Sequence, residues 1–165
     1  MSVSAVIISQ CKVTETLETS NDVASAAASS RKVIHSQFDE NVTLVSTSDP
    51  PATKIACFVQ ALTAGAATLD LTALPGTNGA TVSGDGLKVQ YFRMKNLGAN
   101  DMTIDQGDSN GYALAGAAFS MTLKQNQYFE IYGNDATPDI ANDSADEIDL
   151  AGTTTQTAEF TILMG

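Results

Sequence analysis

The sequence predicts an all-β chain, an antiparallel β-sandwich or small jelly roll with an N-terminal strand and arm. Three observations predict it. Apolar and polar residues alternate with a period of two in segment after segment. The alternation is cleanest where Ala67, Leu69, Leu71 and Ala73 face one way and Thr68, Asp70 and Thr72 the other, and it recurs at Phe119 to Leu123 and Ala158 to Met164. Clusters of Gly, Pro, Asn and Asp punctuate these segments at short intervals. Thr, Ala, Gly, Ser and Asn crowd the chain while aromatics make up only 6% and Trp is absent, a balance that favours many short strands over long helices. Less than about a tenth of the residues is expected in helix, well under the ordinary share.

Taken in order, Ser2 to Val13 reads as a first strand with Val3, Ala5, Ile7, Cys11 and Val13 in one register. Ser20 to Lys32 breaks the pattern. Asn21 or Ser20 suits a helix cap, but the run that follows has too few large apolar residues to anchor a helix, so a long loop or arm is expected. Val42, Leu44 and Ser46 resume the strand pattern until Asp49-Pro50-Pro51 stops it. Residues 1–50 are therefore read as an N-terminal strand and arm that offers an interface, and 51–165 as a sandwich core in one domain with it.

Lys54 to Leu62 is apolar on both faces and reads as an interior strand. Pro75 to Gly86 is a loop in which Asn78-Gly79 suits a tight turn. Gly84 to Ile104 reads as a central hairpin, with Leu87, Val89 and Tyr91 on one limb, turn residues over Asn96 to Asp101, and Met102 and Ile104 on the other. Within it the apolar face passes from odd positions to Phe92 and Met94, which implies a bulge. Phe119 to Leu123, Tyr128 to Tyr132 with Phe129 and Ile131 inward, Ile148 with Leu150, and Thr154 to Met164 complete the strands. Gly133 to Glu147 is an acidic connection containing Pro138.

At 165 residues the chain buries enough surface to fold without a metal or a disulfide. Its formal charge is −11, and after Lys124 no cation appears while eight carboxylates do. Such a surface repels nucleic acid, which binds through cations that replace condensed counterions. It serves solubility and spacing from other anionic bodies, or alternatively attracts divalent cations. No membrane segment and no secretory leader are read in the sequence, and a soluble protein made in the cytoplasm is expected. Cys11 and Cys57 lie in strand-like apolar patterns that suit buried free thiols, and spacing alone does not decide whether they pair.

Chemistry is sparse. His35 is the single histidine and sits beside the arm, which leaves no nucleophile–base device, and two cysteines with one histidine make no zinc spacing. Gln106 to Gly111 resembles the opening of an EF-hand loop, but Gln106 replaces the first carboxylate and Ala117 the terminal Glu. Gly84-Asp-Gly86 lacks the lysine and helix of a phosphate loop. Carboxylates between Asp135 and Asp149 are too solvated for a raised general-acid pKa. The chain is read as not an enzyme, with no catalytic, cofactor or metal residues.

Five runs are more specific than composition. They are 68–82 (Thr-Leu-Asp-Leu-Thr-Ala-Leu-Pro-Gly-Thr-Asn-Gly-Ala-Thr-Val), 86–90 (Gly-Leu-Lys-Val-Gln), 96–100 (Asn-Leu-Gly-Ala-Asn), 109–112 (Ser-Asn-Gly-Tyr) and 148–156 (Ile-Asp-Leu-Ala-Gly-Thr-Thr-Thr-Gln). In these the chain resembles small β-rich virion proteins of tailed bacteriophages, over about two-thirds of its length. The resemblance carries no functional residues. It implies a non-enzymatic protein present in many copies, a decoration or cement protein on the outer surface of the head, partnered by the major capsid protein or another virion protein and by copies of itself, with a trimer as the expected homo-oligomer. The alternative is a tail or fibre module that binds a host surface glycan, for which Tyr112, Tyr128 and Tyr132 are the candidate aromatics.

Overall fold

The computed structural model describes residues 2–17, 31–132 and 144–165. They form twelve strands, and no helix occurs among the described residues. The chain divides into two compact units, one made of Met1–Ser4 with Leu44–Gly165 and the other of Ala5–Thr43.

The smaller unit is built from β1 (Ser4–Leu17) and β2 (Arg31–Val45), which form a two-stranded sheet by themselves. Both strands are longer than the sequence patterns implied, β1 passing Val13 and β2 starting well before Val42. Cross-strand pairing explains the extension. Each strand supplies the other's backbone partners, so weakly alternating stretches such as Thr14 to Leu17 stay extended. The expected arm at Ser20 to Lys32 falls mostly outside the described residues, and its last two members, Arg31 and Lys32, open β2 instead.

The larger unit is an antiparallel sandwich. Its strands are β3 (Lys54–Ala61), β4 (Ala66–Asp70), β5 (Leu74–Pro75), β6 (Thr81–Val82), β7 (Val89–Asn96), β8 (Met102–Gln106), β9 (Ser120–Leu123), β10 (Tyr128–Tyr132), β11 (Glu147–Ala151) and β12 (Thr157–Met164). One sheet has the order β10-β7-β12-β3, the other β4-β11-β8-β9, and β5 with β6 is a small separate hairpin. Phe92, Met94, Phe160 and Ile162 from the first sheet meet Met102, Ile104, Ile148 and Leu150 from the second in one continuous core.

Two readings are corrected here. The Gly84 to Ile104 stretch is not a hairpin: β7 pairs with β10 and β12, β8 pairs with β9 and β11, and Asn96 to Asp101 crosses from one sheet to the other. Asn96 makes the crossing. Fully buried, it donates from Nδ2 to the carbonyls of Asn100 (2.8 Å) and Leu123 (2.9 Å), while its Oδ1 accepts from Gly98 N (2.8 Å) and Gln156 Nε2 (3.2 Å). Nor is Lys54 to Leu62 interior. It is an edge strand paired only with β12, because the apolar residues on its second face, Ile55, Cys57 and Val59, lie on the outside of the sandwich.

The implied bulge is present, but it precedes Tyr91 instead of following it. Leu163 pairs with Tyr91 and Met164 with Val89, so Gln90 is the extra residue and Val89 through Phe92 are all buried. The alternation at Ala67 to Ala73 holds through Leu71, after which Leu74 takes the inward place and Ala73 is exposed. Asn78-Gly79 does form the tip of the β5–β6 hairpin, with Gly79 at φ 78° and Asn78 Oδ1 accepting from Ala80 N.

Candidate functional site

The two outward sheet faces differ in charge. On the β4-β11-β8-β9 sheet, strand alternation turns Ile148 and Leu150 inward and Glu147 and Asp149 outward. Their cross-strand partners are Asp70, opposite Glu147, and Asp105, opposite Asp149. Like charges directly opposite each other are unfavourable. Asp149 is partly neutralised by donors, accepting from Thr68 Oγ1 at 2.6 Å and from Asp108 N at 3.1 Å. A shallow depression of about 620 Å³ runs along this face, with Thr68, Asp105, Asp108, Ser120 and Asp149 among its walls.

Against the expectation that carboxylates between Asp135 and Asp149 are too solvated for a raised pKa, loss of hydration, followed by the charges of Asp146, Asp149 and Asp70, raises the Glu147 pKa above its ordinary 4.5. A carboxyl raised on folding binds its proton more tightly in the native state, so stability rises as pH falls through the folded pKa toward 4.5. Glu147→Gln is therefore expected to raise the melting temperature at pH 7 and to weaken the gain that the unsubstituted protein shows on mild acidification. Thermal melts of both proteins between neutral pH and the ordinary glutamate pKa check this.

The outward face of the β10-β7-β12-β3 sheet is balanced instead. Arg93 and Lys95 on β7 stand between Glu130 on β10 and Glu159 on β12, with Arg93 opposite Glu130 and Lys95 opposite Glu159. The Arg93 guanidinium carbon lies 5.0 Å from the centre of the Tyr128 ring, which is 58% exposed. Burial first, then the Glu130 charge, holds the Tyr91 phenol above its usual pKa, against the pull of Arg93. At the β3 edge this face ends in Ile55, Cys57 and Val59.

The three candidate aromatics are not brought together. Tyr112 is fully buried, and its hydroxyl accepts from Val89 N at 3.2 Å, so it is a core residue and not part of a binding surface. Tyr128 and Tyr132 do share the outward face of β10. Cys11 and Cys57 are free and exposed, not buried, because Cys57 lies on the outward side of the edge strand β3.

The EF-like loop is closed on itself. Gln106 donates from Nε2 to Gly111 O at 2.9 Å and accepts from Ala118 N, while Asn110 O takes the backbone N–H groups of Asp146 and Glu147. Among the described residues no group of three or more His, Cys, Asp or Glu is placed to hold a metal ion. The His35 side chain and the carboxylates of Asp135, Asp139 and Asp143 lie outside the described residues. The exposed apolar edge of β3 and the balance of charge beside it are what sequence reasoning missed, since two apolar faces look alike whether they are covered or open. Comparison with family models, with curated proteins and with solved structures gives no match for this chain.

Proposed function

We propose that the protein is a non-enzymatic virion structural protein, a decoration or cement protein on the outer surface of a phage head, made in the host cytoplasm and present as a homo-oligomer. One observation carries the assembly role. β1 and β2 are 14 and 15 residues long yet pair only with each other, and they leave Val6, Ile8, Val13 and Ile34 exposed, Ile8 at 66%. A lone two-stranded sheet is marginally stable in water, so a ribbon of this length with apolar residues outward suits a binding arm that another protein covers. Its two strands hold three basic and three acidic residues, a neutral segment in a chain of charge −11. Docking the ribbon on a shell therefore avoids the repulsion that the acidic remainder meets. The phage assignment itself rests on the resemblance of the turn and strand motifs between Thr68 and Gln156.

Cryo-electron microscopy of the native particle tests the location, with density for this chain expected on the outside of the head. Ile8→Asp is expected to weaken rebinding to stripped particles at least tenfold, or ~1.4 kcal/mol, without lowering the melting temperature of the sandwich. Density on the tail, or unchanged rebinding, would refute this reading. The glycan-binding alternative is favoured by one observation, the exposed Tyr128 ring beside Arg93, and a glycan array read with Tyr128→Ala as control decides it.

A further inference from the structure

We propose that the chain forms a two-fold dimer by pairing the β3 edges of two copies in antiparallel register, Cys57 opposite Cys57 of the second copy, into one continuous eight-stranded sheet. Such a dimer requires neither a virion role nor the β1–β2 ribbon. β3 is eight residues long and is bonded on one side only, to β12. The phase of its hydrogen bonds shows which residues offer backbone to solvent. Leu97 N donates to Thr157 O and Leu62 N donates to Gln156 O. Thr157 thus turns toward β7 and Gln156 toward β3. By alternation through an unbroken register, the even residues of β3 face β12, while Ile55, Cys57 and Val59 turn their N–H and C=O groups to the open side.

Natural edges are defended by charge, proline, bulges, shortness or a covering segment; here the start of the strand has Lys54 and faces the β5–β6 hairpin across a groove, and the stretch beyond Ile55 carries no charge, proline or bulge. From Ile55 to Ala61 the strand reads Ile-Ala-Cys-Phe-Val-Gln-Ala, without a charged residue or a bulge. Val59 is 60% exposed and Ile55 37%. The other edges are protected. β10 carries Glu130 at its middle, β4 ends in Asp70, and β9 is only four residues long.

The occupant follows from charge and symmetry. A chain of charge −11 repels its own copies over most of its surface, but a strand free of carboxylates lets two copies meet without opposing negative charges. Centring the two-fold on Cys57 sets Ile55 against Val59 of the second copy, and Val59 against its Ile55. The two exposed apolar residues cover each other, and the outward N–H and C=O groups of all three positions find partners. The contact is isologous, so it uses up both open edges and stops at two chains instead of growing into a fibre.

Sedimentation equilibrium of the full chain, amide hydrogen exchange and one substitution test this. A contact through β3 is expected to slow exchange of the Cys57 and Val59 amides on raising the protein concentration. Cys57→Asp places two carboxylates opposite each other and is expected to weaken dimerisation at least tenfold, with the circular dichroism spectrum unchanged. Should Cys57→Asp fail to fold, Cys11→Ser leaves β3 intact, and a short bismaleimide is expected to join Cys57 to Cys57 in a dimer. A single-chain mass at all concentrations, exchange at Cys57 and Val59 that ignores concentration, a folded Cys57→Asp protein that still dimerises fully, or no Cys57 cross-link would each overturn the proposal. A larger assembly formed through the ribbon does not blur the result, because exchange and cross-linking report on β3 itself.

Discussion

Asn96→Ala is expected to destabilise the sandwich by at least ~3 kcal/mol, since each buried polar group left without its partner costs about 1–3 kcal/mol. The side chain is fully buried, and of its partners Leu123 and Gln156 are buried as well. Removing it takes one donor from each of the carbonyls of Asn100 and Leu123, the side-chain acceptor from the N–H of Gly98, and one acceptor from Gln156. Asn96→Asp, though nearly isosteric, is expected to do no better, because a carboxylate cannot donate to two carbonyls. Gln156 belongs to the same network. Its Nε2 also donates to Asn100 O, and its Oε1 accepts from Thr153 N and Thr153 Oγ1, each at 3.1 Å. Denaturant titrations of Asn96→Ala, Gln156→Ala and the double variant are expected to show a loss smaller than the sum of the two, the signature of one shared network. Additive losses would mean that the two side chains act separately. Gly98→Ala reaches the network from outside, since a Cβ there would overlap Gln156 Cγ and drive that side chain away.

Phe160→Ala is the second large effect, expected at about 3–5 kcal/mol for a fully buried aromatic truncated in a core. Phe160 lies on β12, between β3 and β7, where its backbone is opposite Phe58 and Met94. Its ring stacks on Phe58 with centroids 5.2 Å apart and meets Phe92 edge-on at 5.9 Å. The cavity left by alanine opens among three strands whose backbones are held by ladder bonds, so the surroundings have little freedom to collapse. Phe160→Leu keeps most of the volume and is expected to cost less than half as much. Urea unfolding with an unchanged dependence on denaturant would confirm that the loss is one of native packing. A loss under ~1 kcal/mol would contradict the core described above.

Legibility differed from element to element. Ala158, Phe160, Ile162 and Met164 were read as an inward row and all four are buried. Phe129 and Ile131, read as inward, pack against the core, and Ile148 and Leu150 lie within it. The bulge at Gln90 was readable because a change of face leaves a mark in the order of apolar residues. The hairpin reading of Gly84 to Ile104 failed because a turn between two alternating segments looks the same whether the second strand lies beside the first or beneath it. Edge position was hidden for a similar reason at β3, and the exposure of Cys57 with it. As for a site, the single histidine and the two cysteines were readable from composition, whereas the burial of Tyr112 and the placing of Arg93 against Tyr128 were not.

By itself the sequence determined what depends on neighbours along the chain: strand period, the inward rows of β11 and β12, the Asn78-Gly79 turn, the bulge, and an acidic net charge. Tertiary structure alone decided which strands pair. In the sandwich β3 and β4, β7 and β8, β9 and β10, β10 and β11, and β11 and β12 lie in different sheets, and only β8 and β9 are sequential neighbours in one ladder of the two larger sheets. The reason is physical. Backbone hydrogen bonding is the same for every residue and carries no address, so pairing is selected by the side-chain packing of the whole core and by buried polar contacts such as those of Asn96. These contacts join residues up to 60 positions apart and leave no local pattern to read.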